Sequence, residues 1–158
     1  MSRIDDSPHT LTEQLWREHA PELLRFATVL VGPGDAHDLV VEAVLRAADS
    51  LALGDVRNRR AYLFRAVSNR AHDLRRSRER RWVRDLAAIG PPEGAPPDSI
   101  VDVRRAVAGL SLSQRAVVYF VYWEDLTERD TAALLRVSPG TVRRHLFRAR
   151  AQLRKALR

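Results

Sequence analysis

The sequence predicts an all-α protein: two small helical domains joined by a Pro/Gly-rich linker. Three observations carry this. Apolar residues recur at helical spacing on both sides of the linker, with no convincing period-2 strand. The stretch Ile89 to Asp98 (IGPPEGAPPD) puts four prolines and two glycines into ten residues, which leaves little scope for helix and reads as a stiff, extended connection. Charge is sorted into blocks that differ in sign along the chain. These place a first domain over residues 1–84, a linker over 85–99 and a second domain over 100–158.

The elements follow in order. Thr10 with Glu13 fits a capping box that opens the first helix, and Pro21 should kink or split it. After the turn Gly32-Pro33-Gly34, Asp35 can cap a second helix from Ala36 to about Ala48. A third runs from about Arg59 to Arg81, with Phe64, Val67, Ala71 and Leu74 on one face; beyond Leu74 that face becomes Arg78 and Arg81, so the core contact ends and a basic helix end continues into solvent. Beyond the linker, Ile100, Val103, Val107 and Leu110 keep a/d spacing in a fourth helix that ends near Gly109. Ser113 can cap a fifth, from Gln114 to Trp123. Trp16, Phe26, Tyr119, Phe120, Tyr122 and Trp123 stand at helical spacing and are expected in the core.

The last two helices form a helix-turn-helix. Thr127 to Leu135 turn Ala132 and Leu135 inward, and Arg136-Val137-Ser138 is a short turn. Ser138-Pro139, a cap followed by proline at the first helical position, then starts a new helix. Val142, Leu146, Ala149 and Leu153 share its packing face, which leaves Thr141, Arg143, Arg144, Phe147, Arg148 and Arg150 outside. A helix carrying Thr and Arg on its exposed N-terminal half suits a major groove: its first amides can hold a phosphate and its arginines can reach guanine edges.

Composition bounds the function. The chain has 158 residues, 45% of them hydrophobic, a formal net charge of +7 and no cysteine, so disulfides and thiolate metal sites are excluded. Of its 27 basic residues only Lys155 is a lysine. A GC-rich genome would account for that many arginines, but not for their placement. From Leu11 to Val56 eight acids face three arginines; from Arg57 to Arg84 eleven arginines face Asp73 and Glu79; from Arg136 to Arg158 there are eight basic residues and no acid. One acidic face and two basic ones suggest two kinds of partner. The polar N-terminus lacks the apolar core of a signal peptide, and no stretch approaches the roughly 20 apolar residues of a membrane span, so a soluble, cytoplasmic protein without a membrane partner is expected. Gly32-Pro33-Gly34 is too short for a phosphate loop and follows no strand, and histidines 9, 19, 37, 72 and 145 show no ligand spacing. No enzyme activity, metal or cofactor is expected.

Three segments carry a family resemblance. Asp35 to Ala47 (DAHDLVVEAVLRA) and Tyr62 to Arg76 (YLFRAVSNRAHDLRR) resemble the two signatures of sigma factor region 2, at the family's spacing. Gln114-Arg115, Glu124 to Thr127, Ser138 to Arg143 and Arg148 to Arg150 look like region 4. Together they resemble the extracytoplasmic-function sigma factors of bacterial RNA polymerase, in the sigma-70 family. The resemblance implies that the chain binds core RNA polymerase, at the beta-prime clamp helices and the beta flap, and directs promoter-specific initiation. It implies that Asp35, Asp38, Leu39, Glu42 and Leu45 dock on the clamp helices. Tyr62, Arg65, Asn69, Asp73, Arg75, Arg76, Arg78 and Arg80 would recognise and open the minus 10 element, where exposing a base costs a few kcal/mol of stacking. Ser138, Pro139, Gly140, Thr141, Arg143, Arg144, Phe147 and Arg148 would read the minus 35 element.

The chain departs from the family pattern at Tyr62, Val41, Thr131 and Arg136, where Trp, Gln, Ile and Gly are usual. Arg136 matters most, because a turn glycine often takes a positive φ that arginine tolerates poorly; local adjustment is expected there, not loss of the motif. No appended sensor domain is visible, so control by a separate anti-sigma factor or by expression level is inferred. The linker also permits the two domains to fold together and hide the DNA-binding faces. Two other readings stay open on the residues alone: a sigma-like DNA-binding regulator that does not engage polymerase, and an interaction protein whose basic tail is incidental. The acidic helix beside a basic one favours the sigma factor.

Overall fold

The computed structural model of the chain describes residues 8–54, 58–88 and 100–158, and side chains within them except at 8, 53, 77–88, 100 and 101. Its elements are α1 (Pro8–Val31), α2 (Pro33–Leu53), α3 (Arg59–Ala88), α4 (Ile100–Ala108), α5 (Leu112–Val118), a π-helical turn (Tyr119–Trp123), α6 (Glu128–Leu135) and α7 (Pro139–Ala156). The region expected to link the domains, Ile89 to Asp98, lies outside the described residues.

Leu15, Leu23, Phe26 and Leu30 of α1 meet Leu39, Val40, Val44 and Ala47 of α2, and Leu63, Phe64, Val67 and Ala71 of α3 close this three-helix unit. The face expected on α3 is therefore the one it buries. α1 does not split at Pro21. Pro21 is exposed, so the carbonyl whose partner it removes can meet water, while Leu23, Phe26 and Leu30 hold the helix to the core beyond it. Two expected caps are displaced. α1 begins at Pro8, so Thr10 lies inside its first turn. α2 begins at Pro33, with Gly32 at φ 84° as its N-cap; Asp35 sits in the first turn, where its charge suits the helix dipole without capping. α2 runs on to Leu53 and α3 to Ala88, each past its expected end.

The second half is built on α5 and α7. Ser111, not Ser113, caps α5: its hydroxyl accepts from the Gln114 amide while the Gln114 side chain accepts from the Ser111 amide, the reciprocal S-x-x-Q arrangement. Val103 of α4 is exposed, whereas Leu110, just beyond the helix, is buried as expected, and Ala106 and Ala108 join it. Val117, Ala132, Val142 and Leu146 form a small core beneath the helix-turn-helix.

The two halves are not separate bodies. Leu112, Ala116, Tyr119 and Phe120 extend the core of α1 to α3. Phe26 meets Phe64, Tyr119 and Phe120 at centroid distances of 5.3, 5.0 and 4.9 Å, and Phe64 meets Phe120 edge to face at 5.2 Å. Such pairs each add about 0.5–1.5 kcal/mol beyond the area they bury. Arg115 locks the joint: its buried guanidinium donates to the carbonyls of Leu30, Ala108 and Leu110. Leu30 lies in the last turn of α1 and Ala108 ends α4, so one cation satisfies carbonyls at two helix C-termini that would otherwise be orphaned. Burial, and next the charge of Arg75, lower its pKa to about 10, which leaves it cationic at neutral pH. Arg60 of α3 adds a surface bridge, donating to Glu22 at 2.9 Å and Glu124 at 3.0 Å.

Among the described residues, one buried side-chain group is unsatisfied. Thr131, fully buried in α6 where Ile is usual in the family, has a hydroxyl with no hydrogen-bond partner. Replacing it with valine removes an orphaned donor at little change of shape. Thr131→Val should stabilise the fold by about 1 kcal/mol, raising the melting temperature by about 2–4 °C; an unchanged or lower melting temperature would show that the hydroxyl finds a partner in solution.

Candidate nucleic-acid interface

α7 carries the exposed basic face that its sequence predicts. Val142, Leu146 and Ala149 are buried, while Arg143, Arg144, Phe147, Arg148 and Arg150 are exposed; Phe147, at 69% exposure, is an apolar group standing among guanidiniums. The helix start is well made: Ser138 caps it by accepting from the Thr141 amide at 3.1 Å, its hydroxyl lies 2.9 Å from that of Thr141, and Pro139 takes the first helical position. Burial, and then the charges of Arg144 and Arg148, push His145 below its ordinary pKa, so the helix is electropositive without histidine protonation. Arg143 is not idle in this state: its Nε lies 3.3 Å from Glu128. Arg150 donates to the Tyr122 hydroxyl at 2.6 Å. Tyr122 and Trp123 are exposed at 57% and 67%, so these two do not belong to the core expected for them. The π turn at Tyr119–Trp123 adds a residue to its helical turn and rotates them outward while Tyr119 and Phe120 stay inside.

Arg136 ends α6 at φ 56°, ψ 45°, in the left-handed conformation usually left to glycine. The turn keeps its shape: the Arg136 and Val137 amides bond back to Ala133 and Ala132 at 3.3 and 3.0 Å.

A second basic surface lies on α3. Tyr62 and Arg65 are half-buried, Asn69, Asp73 and Arg76 exposed, and Arg75 half-buried. Arg78 and Arg80 continue the helix, but their side chains lie outside the described residues. Tyr62, Arg65 and Asn69 face the end of α6, where Arg65 donates to the Leu134 carbonyl at 3.3 Å. The second half thus covers part of the face that α3 presents.

The acidic surface lies on α2. Asp38, Glu42 and Leu45 point outward, Leu45 at 50% exposure, and Asp35 stands in the first turn. Leu39 does not join them. At 1% exposure it packs in the core, because it faces α1 and α3 while its neighbours on the helix turn away from them. Leu45 is joined there by Trp16, expected in the core, by Val41, noted as a departure from the family pattern, and by Val44, which the sequence did not single out. Trp16, Val41, Val44 and Leu45 line an apolar groove of about 460 Å³ between α1 and α2, edged by Glu13 and Arg17. Glu42 accepts a hydrogen bond from Arg70 of α3, which ties the acidic helix to the basic one. Among the described residues no three His, Asp or Glu side chains are grouped to hold a metal, and no helix is long and apolar enough to cross a membrane.

Comparison with known proteins decides what these surfaces belong to. Residues 15–81 match the family described as Sigma-70 region 2, and residues 100–153 the family described as Sigma-70, region 4. The ECF RNA polymerase sigma factor SigL of Mycobacterium tuberculosis is 35% identical over 157 residues, covering 93% of this chain and 89% of its own length. The chain belongs to the extracytoplasmic-function sigma factors. The RNA polymerase sigma-E factor of Streptomyces coelicolor is 33% identical, over 92% of this chain and 85% of its own. Among solved structures, the sigma factor RpoE of Bartonella quintana, crystallised with the anti-sigma factor NepR, is similar at a TM-score of 0.69 and 26% identity, over 92% of this chain and 95% of that one. That likeness spans both halves of the sigma factor. The readings that left polymerase out therefore give way to a factor for transcription initiation.

The Arg70 hydrogen bond, opposed in part by burial, holds the Glu42 carboxyl below the usual carboxylate range. A depressed carboxylate stabilises the fold above its unfolded pKa, about 4.3, and that contribution is lost as pH falls through the folded value. Glu42→Gln should lower stability at pH 7, by a margin that shrinks as pH falls toward 3, measured by urea unfolding at both pH values. A difference that persists unchanged at pH 3 would mean that charge at Glu42 is not what joins α2 to α3.

Proposed function

We propose that this sigma factor carries out its two recognitions with the two basic surfaces and engages core RNA polymerase with the acidic one, in the cytoplasm. The observation that carries the division of labour is the separation of charge in space. α2 presents carboxylates and an apolar groove, which suit a protein partner, whereas α3 and α7 present guanidiniums, which suit phosphates and base edges. Asp35, Asp38, Glu42 and Leu45, with the groove at Trp16 and Val41, form the contact to the beta-prime clamp helices. Region 4 meets the beta flap.

Arg143, Arg144 and Arg148 read the minus 35 element from the major groove, and Phe147 lies where a thymine methyl would pack. Ser138, Pro139, Gly140 and Thr141 set the helix N-terminus against a phosphate. Tyr62 and Asn69 take an exposed base of the minus 10 element, while Arg65, Arg75, Arg76, Arg78 and Arg80 hold the backbone beside Asp73. A free Arg143 requires exchange of Glu128 for DNA, so that ion pair opposes nonspecific binding.

The closed packing bears on this directly. The two elements lie about 25 base pairs apart, about 85 Å at the rise of duplex DNA. A compact chain of this length is only about 40 Å across. Reading both elements therefore requires the halves to part, exposing Phe26, Phe64, Tyr119 and Phe120, and polymerase binding must offset that cost. The similar RpoE bound to an anti-sigma factor supports the reading that the closed arrangement is the one a sequestering partner would hold in this chain too.

Reconstituted transcription tests the proposal. The purified chain should bind core polymerase and direct start-site-specific transcription; promoter binding with no effect on transcription would refute it. Arg143→Ala or Arg144→Ala should relax selectivity at one minus 35 base pair, at a cost of about 1–3 kcal/mol, whereas Arg78→Ala should weaken all promoters alike and flatten the salt dependence. Equal losses on every promoter from both kinds of change would contradict the assigned roles.

A further inference from the structure

A cavity of about 370 Å³ opens at the joint between the halves, where residues that the promoter reading gives to the minus 10 element meet Arg136, to which that reading gives no role. α3 lines it with Tyr62, Arg65, Ser68 and Asn69, and Arg136 at the end of α6 closes it. No carboxylate is among its lining residues, so two guanidiniums share one opening with no anion of the protein between them. Burial, and next the charge of Arg136, push the Arg65 pKa down, the signature of cations facing one another in a half-dry site. Arg136 is also costly to its own backbone, since it holds the left-handed conformation that glycine takes freely. Two guanidiniums lining one cavity of ligand size, with no carboxylate in that lining, suit a bound anion.

We propose that this cavity is an anion site for a small phosphate monoester, and that a nucleotide is the member of that class which uses every group present. The phosphate sits between the guanidiniums of Arg65 and Arg136, whose planar donors match its oxygens. The base lies on the Tyr62 ring, with Asn69 on its edge. Because Arg65 belongs to one half and Arg136 to the other, the ligand bridges the joint and favours the closed arrangement over the open one. It also occupies Tyr62 and Asn69, so it competes with a single-stranded minus 10 base. The inference rests on the closed packing and not on the promoter roles, and its test needs neither promoter nor polymerase.

The test is calorimetric titration of the full chain with adenosine 5′-monophosphate and with inorganic phosphate at fixed ionic strength, with melting temperature followed in parallel. Both should bind saturably and raise the melting temperature, the nucleotide at least tenfold more tightly. Arg136→Asn keeps a residue that tolerates the left-handed conformation and removes the charge; it should fold, by circular dichroism, and bind at least tenfold more weakly. Arg136→Lys, which keeps the charge and loses the planar fork, should bind more weakly than the parent and more tightly than Arg136→Asn. Equal affinity for phosphate and nucleotide would support the anion site with the phosphate as the whole recognised group. Absence of saturable binding at millimolar ligand, or binding unchanged in Arg136→Asn, would overturn it. Failure of the transcription assay would leave this titration unaffected, so the two readings fail separately.

Discussion

Everything in this chain depends on the joint where Phe26 and Phe64 of the first half meet Tyr119 and Phe120 of the second. The second half has only the small core of Val117, Ala132, Val142 and Leu146 to itself, and small helical units bury a low fraction of their surface. Sharing four aromatic rings attaches the second half to the larger core of α1 to α3. Arg115 makes the sharing specific, because its guanidinium can satisfy the ends of α1 and α4 only when α5 is docked on the first half.

The same joint carries forces that oppose it. Arg65 faces Arg136, and Arg75 bears on Arg115, so like charges meet across an otherwise apolar contact. Apolar burial acts at short range and is not weakened by ionic screening, whereas these repulsions act over a Debye length of roughly 8–10 Å. A closed state that is stable and yet strained electrostatically suits a factor that must open on a partner: polymerase needs to supply only the difference between the two. The Arg60 bridge to Glu22 and Glu124 lies at the rim and is half-exposed, so it contributes direction more than strength.

Much of this was legible in the residues and some was not, for identifiable reasons. The buried stripes of α3 and α7 follow from 3.6-residue periodicity, and Ser138-Pro139 starts α7 because cap chemistry is local. Helix ends that depend on tertiary contacts were harder: α1 passes Pro21 because buried residues beyond it hold the helix, which no local rule weighs. Ser111 was readable, since the S-x-x-Q spacing to Gln114 was there, but Ser113 beside it offered a competing cap. Leu39 shows the limit of carrying a site over by motif, because a motif does not say which of its residues face inward; counting helical phase from Val40 and Val44 would have placed it in the core. Tyr122 and Trp123 left the core through a π turn, whose extra residue has no sequence signature. The Phe26 to Phe120 contact joins residues on opposite sides of the linker, and no pattern within either half reveals it.

The central claim is that the free chain is closed through this joint and opens when it works. The chain has no cysteine, so Asp49→Cys on α2 and Gln152→Cys on α7, both exposed, allow a single pair of spin labels. Distances from pulsed dipolar spectroscopy should form one population within the closed breadth of about 40 Å in the free chain. Core polymerase should shift that population to distances beyond this breadth. A broad, long population in the free chain, or a short one that persists in a complex competent for transcription, would contradict the account.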